Sequence, residues 1–556
     1  MLLKLSGGTV YDPMMGVNGK KLDIFVRDGR IERKPTGDER IDREYDLTGL
    51  IVMAGAIDLH THIAGAKLNL ARMLLPEDHR SAPVARGHAT RAGGGHATPT
   101  TFATGYRYAE MGYTACFEPA MLPVNARQVH LELADTPIVD KGAYALLGND
   151  DFLLRLLATG KGQSAVNDYV AWIMEATQAV GVKVINPGGI SAFKFNQRTL
   201  DLDQPNPHYG ITPRRLLQVL AQAVYELGIQ HPLHVHGCNL GVPGNLDTTL
   251  ATIDGVAGLP INLTHVQFHS YGREGDRRFS SGAARIAEAI NATPNVTVDI
   301  GQVMFGQTVT ASADSMAQYR NWSYAHPAKW VSMDIECDAG CGVVPFRYRD
   351  RSFVNALQWA IGLELFLLVN DPWRVFLTTD HPNGAPFTSY PHLIRLLMDR
   401  GFRNDRLAAI HPEAAKSSTL GSIAREYTLY EIAIMTRAAP ANILGLRGRG
   451  QLGDGAAADI TVYRPQRNKE KMFAQPEYVF KDGELVVRKG RVVKVTQGCT
   501  HTVRPEYDRR IERSLRGYLD RYHTISLDNL RVSDAEILEG GRGRLELHPC
   551  QPVSRG

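Results

Sequence analysis

The chain has 556 residues, of which 44% are hydrophobic and 22% charged, with a formal net charge of +4. That length exceeds one simple core and predicts two domains, or one large barrel with a satellite. The small net charge excludes a nucleic-acid binder by overall composition. No apolar run reaches the roughly 18 to 20 residues that span a bilayer. The N-terminus, MLLKLSGGTVYDPMMG, breaks at a Gly pair too early for a secretory signal. The expected place is the cytoplasm, with no membrane and no nucleic acid as partner. Six cysteines do not make a disulfide framework. Cys337 and Cys341 in ECDAGCG are four apart, wider than a CxxC knuckle, and read as loop thiols.

Residues 1–53 read as short strands with Gly-Gly and Asp-Gly turns. A matching piece, ADITVYRP and YVFKDGELVVRKGRVVKV, lies within 446–500. The two segments are expected to meet as one small β-sandwich domain. Between them, over 54–445, short apolar strands alternate with amphipathic stretches, the pattern of repeated βα units. Eight strand candidates are GLIVMAGAIDLH, YTACFEPA, GAYALLGN, ISAFKFN, HPLHVHG, INLTHVQ, VTVDIG and RVFLTTD. Helices are expected at TPRRLLQVLAQAVYELG and SFVNALQWAIGLELFLLV. The fold class is therefore α/β, a (β/α)8 TIM-like barrel with a β-sandwich formed from both chain ends. Between Ala64 and Thr104 the chain runs without a clear period, rich in Gly, Ala, Thr and His. Such a stretch inside a compact domain is a candidate functional loop. Residues 501–556 read as an appended tail with an Arg-dense helix, EYDRRIERSLRGYLDRY, suited to solvent or to a partner.

The histidines of AIDLHTHIAG carry the chemistry. His60 and His62 lie two apart at a strand end and share one face. In a barrel that face points inward at the C-terminal mouth, where active sites sit. Lys194 in SAFKFNQ is flanked by Phe193 and Phe195 on an expected buried strand. Burial disfavours its charged form, and a neutral amine reacts with carbon dioxide to give a carbamate able to bridge two cations. A plain alternative is an amine reaching the rim or paired with a carboxylate. His234 and His236 in PLHVHGCNLG, His265 in INLTHVQ with His269 beyond, and Asp380 in RVFLTTDHPNG all fall where apolar runs stop. These donors suit zinc, with cobalt, nickel and manganese open.

The order HxH, Lys, His, His, Asp on a barrel resembles the amidohydrolase superfamily, notably its dihydroorotase and hydantoinase branch. Within that branch the segment VHGCN selects His236 over His234, and THVQ selects His265 over His269. A closer resemblance is to the A subunits of formylmethanofuran dehydrogenases and of bacterial formyltransferase/hydrolase complexes. It is carried by AGAIDLHTHIAG, TTFATGYRYAEMGYT, PLHVHGCNLG, LTHVQFHSYG and LTTDHPNGAPF. The resemblance implies two divalent metal ions, zinc first. His60, His62 and Asp380 would hold one, His236 and His265 the other, with N6-carboxylysine at Lys194 between them. A bridging hydroxide would attack the amide carbonyl, and Asp380 would pass its proton to the leaving nitrogen. The implied reaction is hydrolysis of N-formylmethanofuran to formate and methanofuran, in a multi-subunit complex of one-carbon metabolism. Methanofuran, as substrate and coenzyme, carries a glutamyl tail in this family; Arg86, Arg91 and Arg107 are candidates to receive its carboxylates. His234 and His381 are candidates for substrate contact. Competing expectations are the archaeal condensation of formate with methanofuran, a cyclic-amide hydrolase, and a scaffold without catalysis.

Overall fold

A computed structural model describes residues 1–35, 39–189, 199–312, 315–333, 341–540 and 543–551. Lys194, Cys337 and the whole of the expected strand ISAFKFN lie outside the described residues.

Both chain ends build one nine-stranded sheet. Its first strand, Leu2–Asp12, turns back into Val17–Arg27. The turn is capped by the Asp12 carboxylate, which accepts the Met14 and Met15 N–H groups. The ends join where Ile51–Ala54 pairs antiparallel with Ile460–Tyr463. The expected Asp-Gly hairpin forms between Tyr478–Lys481 and Glu484–Arg488, with Asp482 and Gly483 both at positive φ, the geometry this dipeptide favours. Leu3, Leu5, Val10, Val52, Ile460 and Phe480 form its core.

Eight parallel strands make the barrel. They are β1 (Ala56–Asp58), β2 (Tyr113–Met121), β3 (Asp140–Leu146), β4 (Gly181–Ile185), β5 (Leu233–His236), β6 (Ile261–Leu263), β7 (Val296–Asp299) and β8 (Val375–Phe376). Each pairs in parallel with the next. The circle closes between Thr61 and His381, which form a parallel bridge, with the His62 N–H donating to the His381 carbonyl at 2.8 Å. Among the described residues strand four is thus GVKVI. It follows the helix Gln163–Thr177 after three residues and is buried except at its last residue, so it reads as a continuation of the same apolar stretch.

The two expected helices form as Pro213–Glu226 and Phe353–Leu368. The Thr212 and Ser352 hydroxyls cap them by accepting the Arg215 and Asn355 N–H groups, which satisfies donors that a helix start leaves free.

The segment 64–104 differs from the structureless loop expected. It carries two short helices, Ala66–Leu74 and Pro76–Ser81. The buried Asp78 carboxylate holds the return path by accepting the N–H groups of His96, Ala97 and Thr98 at 2.7–3.1 Å. A further three-stranded sheet, Gly306–Ser312, Val331–Met333 and Cys341–Tyr348, is inserted between β7 and β8. Leu75, Ala71, Val309 and Val343 pack the first of these insertions against the second.

The C-terminal residues are more than a tail. β9 (Cys499–Val503) pairs in parallel with the start of β3, and β10 (Arg544–His548) pairs in parallel with β9. The Arg-dense segment forms the helix Ile511–Tyr522, which buries Leu515 and Leu519. Among the described residues no helix is long and apolar enough to cross a membrane.

Asp78→Ala leaves two buried N–H groups, of Ala97 and Thr98, and the part-buried one of His96 without an acceptor, at a cost of about 1–3 kcal/mol for each buried group. The expected result is a lower thermal midpoint together with proteolysis concentrated between residues 82 and 98. Limited proteolysis with mass mapping reads this directly, and an unchanged cleavage pattern contradicts it.

Candidate metal centre

The ligand-type side chains converge where β1 meets β8. His60 and His62 bracket the bridging Thr61, and Asp380 precedes the bridging His381. Side chains that alternate with the bridging residues point into the barrel. Asp380 Oδ1 lies 3.0 Å from His60 Nε2 and 3.2 Å from His62 Nε2. Two imidazoles and one carboxylate oxygen are therefore aimed at one small volume. The neighbouring imidazoles hold the Asp380 carboxyl well below the usual carboxylate range, although burial alone would raise it.

The far nitrogen of each imidazole is also held. His62 Nδ1 lies 2.9 Å from Glu118 Oε1. Glu118 Oε2 accepts the Ile63 and Ala64 N–H groups at 2.8 and 3.1 Å. Burial would raise the Glu118 carboxyl, but Lys67, His62 and these N–H groups pull it down to about 2. It is a fixed anion behind His62. His60 Nδ1 faces His234 Nε2 at 2.9 Å and Asp299 Oδ2 at 3.3 Å. A carboxylate on the far nitrogen sets the tautomer that leaves Nε2 free to ligate a cation.

A second group stands opposite. The rings of His236 and His265 lie 4.6 Å apart, and His269 joins them at 5.3 and 5.4 Å. His236 Nε2 and His265 Nδ1 are buried and have no hydrogen-bond partner among the described residues. A buried imidazole nitrogen without a partner costs free energy unless something else binds it. The donor chemistry and these orphaned nitrogens fit a bound metal ion. His265 and Asp380 both hold positive φ, 35° and 50°, a strained conformation for residues other than glycine and one that collects at functional sites. Gly301 makes His265 possible: a Cβ there would lie 2.3 Å from the His265 Cβ, on a backbone already at φ +64°.

Lys183 supplies the strand-four amine. It is buried on β4 beside His234 of β5, and its Nζ donates to Thr264 Oγ1 at 3.2 Å. Burial lowers it, Asp299 and Asp380 pull partly back, and it settles at about 7.

These groups open on a chamber of about 450 Å³. His62, Lys183, His236, His265 and Asp380 line one end; Leu122, Leu146, Ile185, Leu240 and Phe268 line its apolar walls. Of the other residues proposed from sequence, His234 is buried behind His60 and does not line the chamber. His381 turns away from it: its ring packs on Phe387 and its Nδ1 accepts the Phe387 N–H at 3.2 Å. The three arginines do not line it either. Arg107 donates to the Ala82 carbonyl, Arg91 stacks on Phe102 and Arg86 is exposed. Lys67 is the cation on the chamber wall. Glu118, Asp299 and Lys183 were missed in sequence, although each is a charged residue in a buried, largely apolar strand, the signal that marked Lys194.

Two substitutions test this arrangement. Glu118→Gln keeps the shape behind His62 but removes the anion. It should weaken metal binding by roughly 10–100-fold, read by competition with a chromogenic chelator. Gly301→Ala should displace His265 and lower metal content while the circular dichroism spectrum stays that of the wild type. Full metal content in either variant contradicts the geometry.

The chain is similar to known proteins along nearly its whole length. The profile of the amidohydrolase family matches residues 43–494. The chain is 43% identical over 548 residues to the A subunit of the formyltransferase/hydrolase complex Fhc of Methylorubrum extorquens, covering 97% of this chain and 98% of that protein. It is 40% identical over 553 residues to Protein FwdA of Methanocaldococcus jannaschii, covering 95% and 96%. Among solved structures, one chain of the FhcABCD formyltransferase/hydrolase complex from Methylorubrum extorquens, determined with methylofuran, superposes with a TM-score of 0.93 at 42% identity, covering 99% of this chain and all of that one. The chain belongs to the amidohydrolase family.

Proposed function

We propose that the chain is the hydrolytic component of a formyltransferase/hydrolase complex and cleaves N-formylmethanofuran to formate and methanofuran. The observation that carries this is the full-length likeness to the M. extorquens protein, joined to a complete set of inward imidazole and carboxylate donors. The remaining subunits would supply formyl transfer, and the cytoplasm is the compartment this reading implies.

His60, His62 and Asp380 would hold one divalent ion; His236 and His265 would hold the other, with His269 an alternative donor beside them. Zinc is the first candidate for this donor set. Lys183 takes the bridging role expected of Lys194, because its amine is buried on strand four, near neutrality and facing the same chamber. Carbamylation of that amine would turn a costly buried cation into a bidentate anion. When bound, the two ions supply Lewis acidity toward the formyl oxygen and lower the pKa of water.

The chain's own residues do the rest. The apolar walls admit the formyl end and keep out bulk water. Asp380 is the base: it takes a proton from the attacking water and delivers it to the amide nitrogen, so that the amine leaves neutral and formic acid remains, which gives its proton to solvent and becomes formate. The Asn383 amide donates to Asp380 Oδ2 at 3.1 Å and holds the carboxylate in place for both transfers. Glu118 and Asp299 keep the two imidazoles of β1 in the ligating tautomer. The same site serves the reverse condensation by microscopic reversibility.

The direct test is formate release from N-formylmethanofuran by the assembled complex. Asp380→Asn should lower turnover by about 10²-fold or more, with the complex intact. Cleavage of hydantoin or dihydroorotate in place of the formamide would contradict the assignment. The lysine is tested separately: Lys183→Ala should lose metal and activity, both unresponsive to added bicarbonate, while Lys194→Ala keeps both. The opposite pattern returns the bridge to Lys194.

A further inference from the structure

A second donor cluster lies away from the chamber, where β9 and β10 extend the sheet beside the first residues of β3. The two strands are in parallel register, with His501 opposite Glu546 and Val503 opposite His548. Alternation puts Cys499 and His501 on one face of β9, and Glu546 and His548 on one face of β10. The contacts show that the two faces are the same. His501 Nδ1 lies 2.8 Å from His548 Nε2, and Cys499 Sγ lies 3.6 Å from Glu546 Oε2. His501, Glu546 and His548 each bring a ligand atom within 4.8 Å of the others.

The other side of His501 is already built as a support. Its Nε2 faces Asp140 Oδ2 at 3.6 Å and Cys499 Sγ at 3.5 Å. An N–H directed that way leaves the Nδ1 lone pair facing His548, the arrangement that orients a ligating histidine. Four carboxylates, Asp140, Asp459, Asp482 and Glu546, face three cations, Lys481, Arg449 and Arg544. Arg449 is engaged by Asp140, Asp459 and Asp482 at 2.8–3.3 Å and stands 3.7 Å from Glu546, so Glu546 keeps an oxygen for another partner. Glu546 also lines a cavity of about 320 Å³, with Arg449, Asp482 and Arg544.

We propose that His501 Nδ1, His548 Nε2 and the Glu546 carboxylate bind one divalent ion of the zinc class, distinct from the catalytic centre, and that this ion clamps β10 to β9. Two nitrogens and a carboxylate oxygen suit such an ion, and nitrogens about 2.0–2.1 Å from a tetrahedral centre sit roughly 3.3 Å apart. The imidazole pair opens by a few tenths of an ångström to admit it. The ion closes a loop between two strands distant in sequence, and its binding energy adds to the stability of the C-terminal strand.

The test counts zinc on the full-length chain after chelation and refilling with Zn²⁺. A His60→Ala/His62→Ala variant should still bind one equivalent at this second site. Adding Glu546→Gln or His548→Ala should weaken that equivalent at least tenfold and abolish the rise in thermal midpoint that Zn²⁺ produces. Glu546 sits at a sheet edge with its side chain 41% exposed, so Glu546→Gln keeps the fold should His548→Ala not. On the otherwise wild-type chain, Glu546→Gln should lower zinc content by one equivalent and leave formate release unchanged. Unaltered zinc content in Glu546→Gln and His548→Ala overturns the proposal. So does a His60→Ala/His62→Ala chain that binds no zinc.

Discussion

The site depends on the seam that closes the barrel. β1 and β8 touch through Thr61 and His381, and the residues flanking that contact are His60, His62 and Asp380. Closing the parallel sheet and assembling three ligand-type side chains are therefore one event. No loop has to fold over to complete this half of the site. It forms when the first and last strands of the barrel, far apart in sequence, find each other. A one-residue slip at the seam would turn all three side chains out of the barrel.

The interior around that seam is unusually polar for a barrel core, and each charge has a stated partner. Glu118 stands behind His62, Asp299 and His234 behind His60. Deeper still, the buried Asp58 carboxylate receives the Tyr108 hydroxyl at 2.7 Å and the Tyr390 hydroxyl. Burial raises that carboxyl to about 7 against the pull of both hydroxyls. A polar interior of this kind costs stability unless fully paired. Among the described residues, the buried atoms without a partner include His236 Nε2 and His265 Nδ1, on two residues that line the chamber, and both nitrogens of His269. Together with the positive φ of His265 and Asp380, at roughly 1–3 kcal/mol each, they mark where the fold gives up stability to hold donors for a metal.

Much of this was legible from sequence because strand ends are punctuated. His60, His62, His236, His265 and Asp380 each stand where an apolar run stops, and the structure brings them round one cavity. The lysine was harder. Phe193 and Phe195 drew the expectation to Lys194, which lies outside the described residues, whereas GVKVI lies only three residues beyond a long apolar helix and offers no turn signal of its own. Arg86 and Arg91 of the 64–104 segment, and Arg107 just beyond it, do not line the chamber: composition does not tell which way a side chain points, and a single carboxylate, Asp78, decides how that segment folds back. The C-terminal strands were invisible because CTHTV and RLELH owe their strand form to partners far away in sequence, β3 and each other.

Anomalous diffraction at the zinc edge from crystals of the metal-loaded chain tests the central claim most directly. The account predicts two peaks in the barrel mouth, one against His60, His62 and Asp380 and the other against His236 and His265, with carbamate density on Lys183 between them. A metal-free mouth, or carbamate density on Lys194 with Lys183 unmodified, would contradict it.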